Sequence, residues 1–160
     1  MRALKWMIMS DSHDNMPRIS ESVEIAVDRD VEVLIHCGDL VSPFAAKALT
    51  RFKGELHVAL GNNDGEIVGL KNILGSSLIK GPAEIKIHGR SVVLMHEPFG
   101  LSGAVITDFL FYGHTHHLDI RLNSRPVIIN PGESCGYLTG KPTVVVIDPD
   151  NLEYELIQLR

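Results

Sequence analysis

Three of the eight histidines in this chain lie within four positions of one another, in Gly113-His114-Thr115-His116-His117. Neutral imidazole is a common metal ligand, so the question is which other donors could meet this cluster. Four further short stretches offer them: Asp11-Ser12-His13, Gly38-Asp39, Gly61-Asn62-Asn63-Asp64 and Met95-His96. Asp11, His13, Asp39, Asn62, His96, His114 and His116 make up the candidate ligand set. Imidazole, carboxylate and amide donors without thiolate suit Mn, Fe, Zn or Ni. Seven are too many for one tetrahedral ion, but they suit two ions about 3.5–4 Å apart with one carboxylate bridging. Two such cations point to phosphoryl transfer to water, because they bind phosphoryl oxygens and ease deprotonation of a bridging water to hydroxide.

For these residues to meet, the chain must bring five loops to one edge. "ALKWMIM", "VEVLIHC" and "ELHVAL" read as buried strands. Between them, Ile19, Val23, Ala26 and Val27 form a helical apolar stripe, with Pro17 in the first turn and Asn15 or Asp14 as cap. "SPFAAKALTRF" reads as a second helix opening at Pro43. This alternation predicts a parallel sheet, and the loops that follow parallel strands gather at one sheet edge. Asp11 and His13 are separated by two positions, as are His114 and His116; in an extended segment each pair points to one side, and His117 faces away. Gly precedes three of the five motifs, where it permits turns that other residues resist. In the second half, "AEIKIHG" and "RSVVLMH" predict a hairpin around His88-Gly89. "DFLFYG", "LDIRLN", "PVIIN", "TVVVIDP" and "LEYELIQL" add short strands, read as antiparallel. The expectation is one layered α/β domain over residues 1–160, parallel early, antiparallel late, with helices outside.

The formal charge of −5 at pH 7 argues against strong nucleic-acid binding and leaves a nuclease without its basic groove. Two cysteines, Cys37 and Cys135, make no disulfide framework and fit a reducing, cytoplasmic setting. The apolar run before Ser10 is too short for a signal peptide, and no stretch approaches the roughly 18 apolar residues of a membrane span. No GxSxG nucleophile motif or P-loop occurs. Taken singly, most of the candidates have plainer uses: Asp11 to Asn15 as a polar turn, Asp39 as the cap of the helix opening at Pro43, Asn62 and Asn63 as turn residues. Those uses would all have to coincide at one sheet edge. His36, His57 and His88 read as structural, Cys37 as a small buried apolar residue, and Glu133 and Cys135 as lesser candidates for lining the pocket.

"DSHDN", "GDL", "GNND", "MHE" and "GHTH", in that order, resemble the calcineurin-like metallophosphoesterases. Length and the late "NPGES" resemble their small prokaryotic phosphodiesterase branch. The resemblance implies a four-layer αββα sandwich of two mixed β-sheets flanked by helices. It implies one metal on Asp11, His13, Asp39 and His116, a second on Asp39, Asn62, His96 and His114, and phosphodiester hydrolysis by a metal-bridging hydroxide. Mn is placed first among the ions, with Ni, Fe and Zn also suited; the substrate is a small phosphoester, and a homo-oligomer is admitted. Asn63, Asp64 and Glu97 are the candidate catalytic side chains beside the metals. Many family members carry His at the position of Asn63, whose amide is no acid at neutral pH; many have Gly where this chain has Glu97. The same fold serves as a protein-binding scaffold in the retromer coat, so a catalytically weak scaffold is the alternative expectation.

Overall fold

The computed structural model describes residues 2–98 and 106–160. In chain order the elements are β1 (Trp6–Met9), α1 (Met16–Asp28), β2 (Val33–His36), α2 (Pro43–Leu49), β3 (Glu55–Ala59), α3 (Ile67–Leu74), β4 (Leu78–Ile79), β5 (Ala83–Ile87), β6 (Arg90–Leu94), β7 (Phe109–Phe111), β8 (Leu118–Arg121), β9 (Val127–Pro131), β10 (Thr143–Ile147) and β11 (Tyr154–Gln158). Six strands form one sheet in the order β11-β10-β1-β2-β3-β4, and five form a second in the order β5-β6-β7-β9-β8. Both sheets are mixed, as the resemblance implies.

The alternation of side chains along each strand decides what packs where. Met7, Met9, Leu34 and Val58 face the helices, with Ile19, Val23, Ala45, Leu49, Leu70 and Leu74 opposite them. Their neighbours Trp6, Ile8, Val33 and Ile35 face the second sheet and meet Val92, Leu94, Phe109, Phe111 and Ile129. β1 and β2 are therefore buried on both faces, which is why their sequences are unbroken apolar runs. Met95, Leu110, Tyr112 and Ile128 form a third cluster on the outer face of the second sheet. Among the described residues no helix covers that face, and a helix of the fourth layer would lie outside them.

Three expectations are corrected. The late strands are not uniformly antiparallel: β6, β7 and β9 pair in parallel, because residues 95–108 and 112–126 are long enough for crossovers. The buried stripe of α1 is Ile19, Ser22, Val23 and Ala26, whereas Val27 is 62% exposed. Ser22 tolerates the buried place by donating its hydroxyl to the Arg18 carbonyl at 2.8 Å. α3 carries only a weak sequence signature, because Gly69 interrupts it and no side chain caps it. Asn15 caps α1 and Ser42, not Asp39, caps α2.

His36 ends β2 in the interior. Its Nδ1 accepts from the Gly38 amide at 3.1 Å, so Nε2 carries the proton toward Ser12 Oγ at 2.8 Å. Burial pushes its pKa down to about 4, far below the unfolded value. The neutral ring then stabilises the fold above pH about 6.5, and up to about 3 kcal/mol is lost as pH falls toward 4. In denaturant titrations of the metal-free protein, the stability gap between parent and His36→Asn should narrow steadily from pH 6.5 to 4.5; a constant gap would refute this.

Candidate metal centre

Each of the seven candidate ligands follows a strand end: Asp11 and His13 follow β1, Asp39 follows β2, Asn62 follows β3, His96 follows β6, and His114 and His116 follow β7. The five loops converge at one edge. His13 Nε2 lies 3.7 Å from Asp11 Oδ1 and 3.4 Å from Asp39 Oδ2, and His116 Nε2 lies 3.3 Å from Asp11 Oδ1. On the other side, Asn62 Oδ1 is 2.8 Å from His96 Nε2 and 3.1 Å from His114 Nδ1. Asp39 Oδ2 stands 3.4 Å from both His13 Nε2 and His96 Nε2, between the two groups. His117 is exposed and belongs to neither.

These donors face one another without satisfying one another. Asp11 Oδ1 and His13 Nε2 are buried and have no hydrogen-bond partner. A neutral imidazole donates from only one nitrogen. Yet both nitrogens of His96 face oxygens, Cys37 carbonyl at 2.8 Å and Asn62 Oδ1 at 2.8 Å. A proton or a cation must fill such gaps. Ligands about 2.1 Å from one tetrahedral ion are about 3.4 Å apart, which matches the separations between His13, Asp11, Asp39 and His116. The donor set therefore fits a divalent transition metal.

The backbone reaches this arrangement by an unexpected route. Asp11, His13, Asp39, His114 and His116 all have positive φ, between 41° and 67°. The paired ligands thus converge through left-handed turns, not because the segment is extended. Asp and His tolerate that region better than most residues. The glycines serve mainly for close approach. A Cβ at Gly61 would strike Asp39, and one at Gly113 would strike Ser10 Oγ and Asp11 Oδ2; of the three, only Gly38 has a positive φ.

The surrounding side chains fix the ligands. Asp11 Oδ2 accepts from Ser10 Oγ at 2.6 Å and the His114 amide at 3.0 Å. Asn63 donates its amide N–H to Asp39 Oδ1 at 2.8 Å and its side chain to Oδ2 at 2.9 Å. Burial alone would raise the Asp39 pKa, but these bonds and His96 outweigh it and hold the carboxyl far below its usual range. Burial likewise works to lower His96, but the Asp39 and Asp11 carboxylates outweigh it and raise it. Asp64 is buried with its oxygens on the amides of Val41 at 2.6 Å, Gly61 at 2.6 Å and Asp39 at 3.2 Å. Its carboxylate is taken up by these amides and ties the loop after β3 to the loop after β2. Glu97 borders a small cavity of about 150 Å³ that also touches Asn62, His96 and Lys80.

Glu133, a lesser candidate on the sequence, belongs to the site. It follows β9, a sixth strand end at the same edge, and its Oε2 lies 2.5 Å from His116 Nδ1. The signal that points to it is its place shortly after the apolar run PVIIN, as the ligands follow theirs. His36 and Ser10 also support the site from behind, and nothing in their spacing marks them.

The model of the calcineurin-like phosphoesterase superfamily domain matches residues 4–152. The chain is 38% identical over 170 residues to Phosphodiesterase MJ0936 of Methanocaldococcus jannaschii, covering 98% of this chain and 99% of that one. Among solved structures, an archaeal phosphodiesterase superposes with a TM-score of 0.85 at 36% identity, over 98% of this chain and 100% of the other. Vps29 of Entamoeba histolytica, complexed with zinc, superposes with a TM-score of 0.63 at 17% identity, over 97% and 99% of the two chains, a likeness of fold alone.

The close approach at Gly113 gives a test. Gly113→Ala must displace Ser10 or Asp11 and should cost about 1–3 kcal/mol in urea unfolding. Gly65→Ala in the neighbouring loop, where a Cβ meets nothing within 4 Å, should cost much less.

Proposed function

The chain belongs to the calcineurin-like phosphoesterase superfamily, and on that premise we propose that this hydrolase is a phosphodiesterase that works with two divalent transition-metal ions. Asp11, His13, Asp39 and His116 would hold one ion, and Asp39, Asn62, His96 and His114 the other, with Asp39 shared. The observation that carries this reading is the pair of buried, unpartnered atoms Asp11 Oδ1 and His13 Nε2. When bound, the ions supply Lewis-acid charge for phosphoryl oxygens and lower the pKa of a water. Mn is the first choice among ions for this oxygen- and nitrogen-rich set, with Ni, Fe and Zn also suited. The chain's own residues set the geometry. Asn63 orients Asp39, Ser10 and the His114 amide orient Asp11, the Cys37 carbonyl orients His96, and Asp64 holds the loops.

Asn63 cannot protonate a leaving alcohol, and its side chain is turned onto Asp39. A leaving group that departs well as an anion is therefore favoured. Glu97 and Lys80 share the cavity beside Asn62 and His96, so both charges can meet the ester groups of a bound substrate. Two free, buried cysteines fit a reducing, cytoplasmic setting, and no helix among the described residues is long and apolar enough to cross a membrane. The scaffold alternative draws on Asn63 and on the fold shared with Vps29.

Elemental analysis after reconstitution should find close to two ions per chain, and Asp39→Asn should lose both. The reconstituted protein should hydrolyse bis(p-nitrophenyl) phosphate far faster than a dialkyl phosphate, by about 10²-fold or more. Absence of bound metal would favour the scaffold; equal rates on both esters would show that another residue supplies the proton.

Glu97 allows a finer measurement. A monoester brings about two negative charges and a diester one, and unit charges about 4 Å apart at an effective dielectric of about 20 interact by about 4 kcal/mol. A quarter of that, after screening by Lys80, the ions and water, is a roughly fivefold to tenfold preference. Glu97→Gln should lower the diester-to-monoester ratio of kcat/KM by about that factor. An unchanged ratio would leave selectivity to pocket shape.

A further inference from the structure

We propose that Glu133 is the positioning residue for one side of the metal centre, orienting His116 and tying that ligand to the loop of Leu138 and Thr139. The proposal rests on the reading above that Asp11, His13 and His116 share an ion. A carboxylate only accepts hydrogen bonds, so Oε2 at 2.5 Å from His116 Nδ1 requires the proton on Nδ1. The Nε2 lone pair is then left facing Asp11 Oδ1, 3.3 Å away, where the ion would lie.

Glu133 is fully buried and cannot turn away without orphaning other donors. Its Oε1 accepts from the Thr139 amide and hydroxyl, each at 2.6 Å, and from the Leu138 amide at 3.1 Å. The two sides of the centre differ in this respect. His96 Nδ1 meets a neutral carbonyl, that of Cys37, whereas His116 Nδ1 meets a full negative charge. A carboxylate behind an imidazole raises its basicity and fixes its orientation, and losing such a partner costs about 10–100-fold in metal affinity. Glu133 and Asp11 both add charge among the His116-side ligands and their hydrogen-bond partners; among Asn62, His96, His114 and the groups bonded to them, only the shared Asp39 is charged.

A competing arrangement is present at the same place. Cys135 Sγ lies 3.4 Å from Glu133 Oε2, and His116, Glu133 and Cys135 could themselves enclose an ion. The test uses Co²⁺ and Mn²⁺, titrated into the metal-free full chain against a chelator of known affinity. Glu133→Gln, which keeps the shape of the side chain, should weaken one ion by about 10–100-fold and leave the other within about threefold. Thr139→Val, which disturbs only the loop contact, should leave both within about threefold of the parent. Nitrogen-15 spectra of the metal-free protein at neutral pH should show His116 with its proton on Nδ1, a readout that needs neither metal nor turnover.

Unchanged affinity in Glu133→Gln, equal losses in Glu133→Gln and Thr139→Val, or a His116 proton confined to Nε2 would each overturn the proposal. So would a sulfur-to-cobalt charge-transfer band, which would make Cys135 a ligand. If Glu133→Gln does not fold, Glu133→Asp replaces it, keeping the charge but withdrawing it from the ring, with the same expected loss. A parent chain that binds no ion would instead remove the reading on which the proposal rests.

Discussion

Two carboxylates, Asp11 and Asp39, are almost wholly withdrawn from water at one sheet edge. Their ion-pair partners are histidines, and among the described residues no Lys or Arg pairs with either. Buried charge of this kind is costly unless it is compensated. Hydrogen bonds from Ser10, Asn63 and the His114 amide compensate part of it. The remaining oxygen of Asp11 has no hydrogen-bond partner. Most local features of the edge follow from the need to hold this uncompensated charge in place.

The backbone carries the largest share of that work. Left-handed φ at a residue with a side chain costs about 1 kcal/mol or more, and five of the seven ligands adopt it. No single loop could hold such turns alone. The loops hold one another: the Asp11 amide donates to the Gly38 carbonyl at 2.9 Å, His13 to Asp39 at 3.0 Å, Gly113 to His96 at 2.9 Å, and Cys135 to Asp11 at 3.2 Å. The rigid strands beneath fix where each loop begins, and these cross-links fix where each donor ends.

Strands β1 and β2 could be read from the chain because strands buried on both faces need apolar side chains along their length, and the ligands could be read because each follows a short apolar stretch. The means of convergence could not. Spacing by two residues suits an extended pair and also a left-handed turn, and only the backbone distinguishes them. The direction of Asn63 was equally hidden: its type shows that it is no acid, but not that it serves Asp39. Glu133 was masked because the strand before it reads as antiparallel, and only its parallel pairing with β7 brings its end to the edge of the metal ligands. α3, with a glycine in its middle and no capping side chain, gave too weak a local signal, and the parallel pairing of β6, β7 and β9 depends on crossovers that no local pattern records.

β1 lies between β2 and β10, which it pairs in antiparallel register, Trp6 opposite Ile147 and Ile8 opposite Val145. β1 precedes both partners in the chain, so one neighbour is available soon after it and the other only once β10 has been made. The loop carrying Asp11 is under the same delay, since the Ser134 and Cys135 amides donate to Ser10 and Asp11. Contacts of such sequence separation slow folding, because long loops must close before their pairing is rewarded. A nascent chain on the ribosome would hold its early apolar strands half-covered and its buried carboxylates unassembled until residues 143–147 emerge. The order of translation, as much as the strength of any one bond, sets when the centre comes into existence.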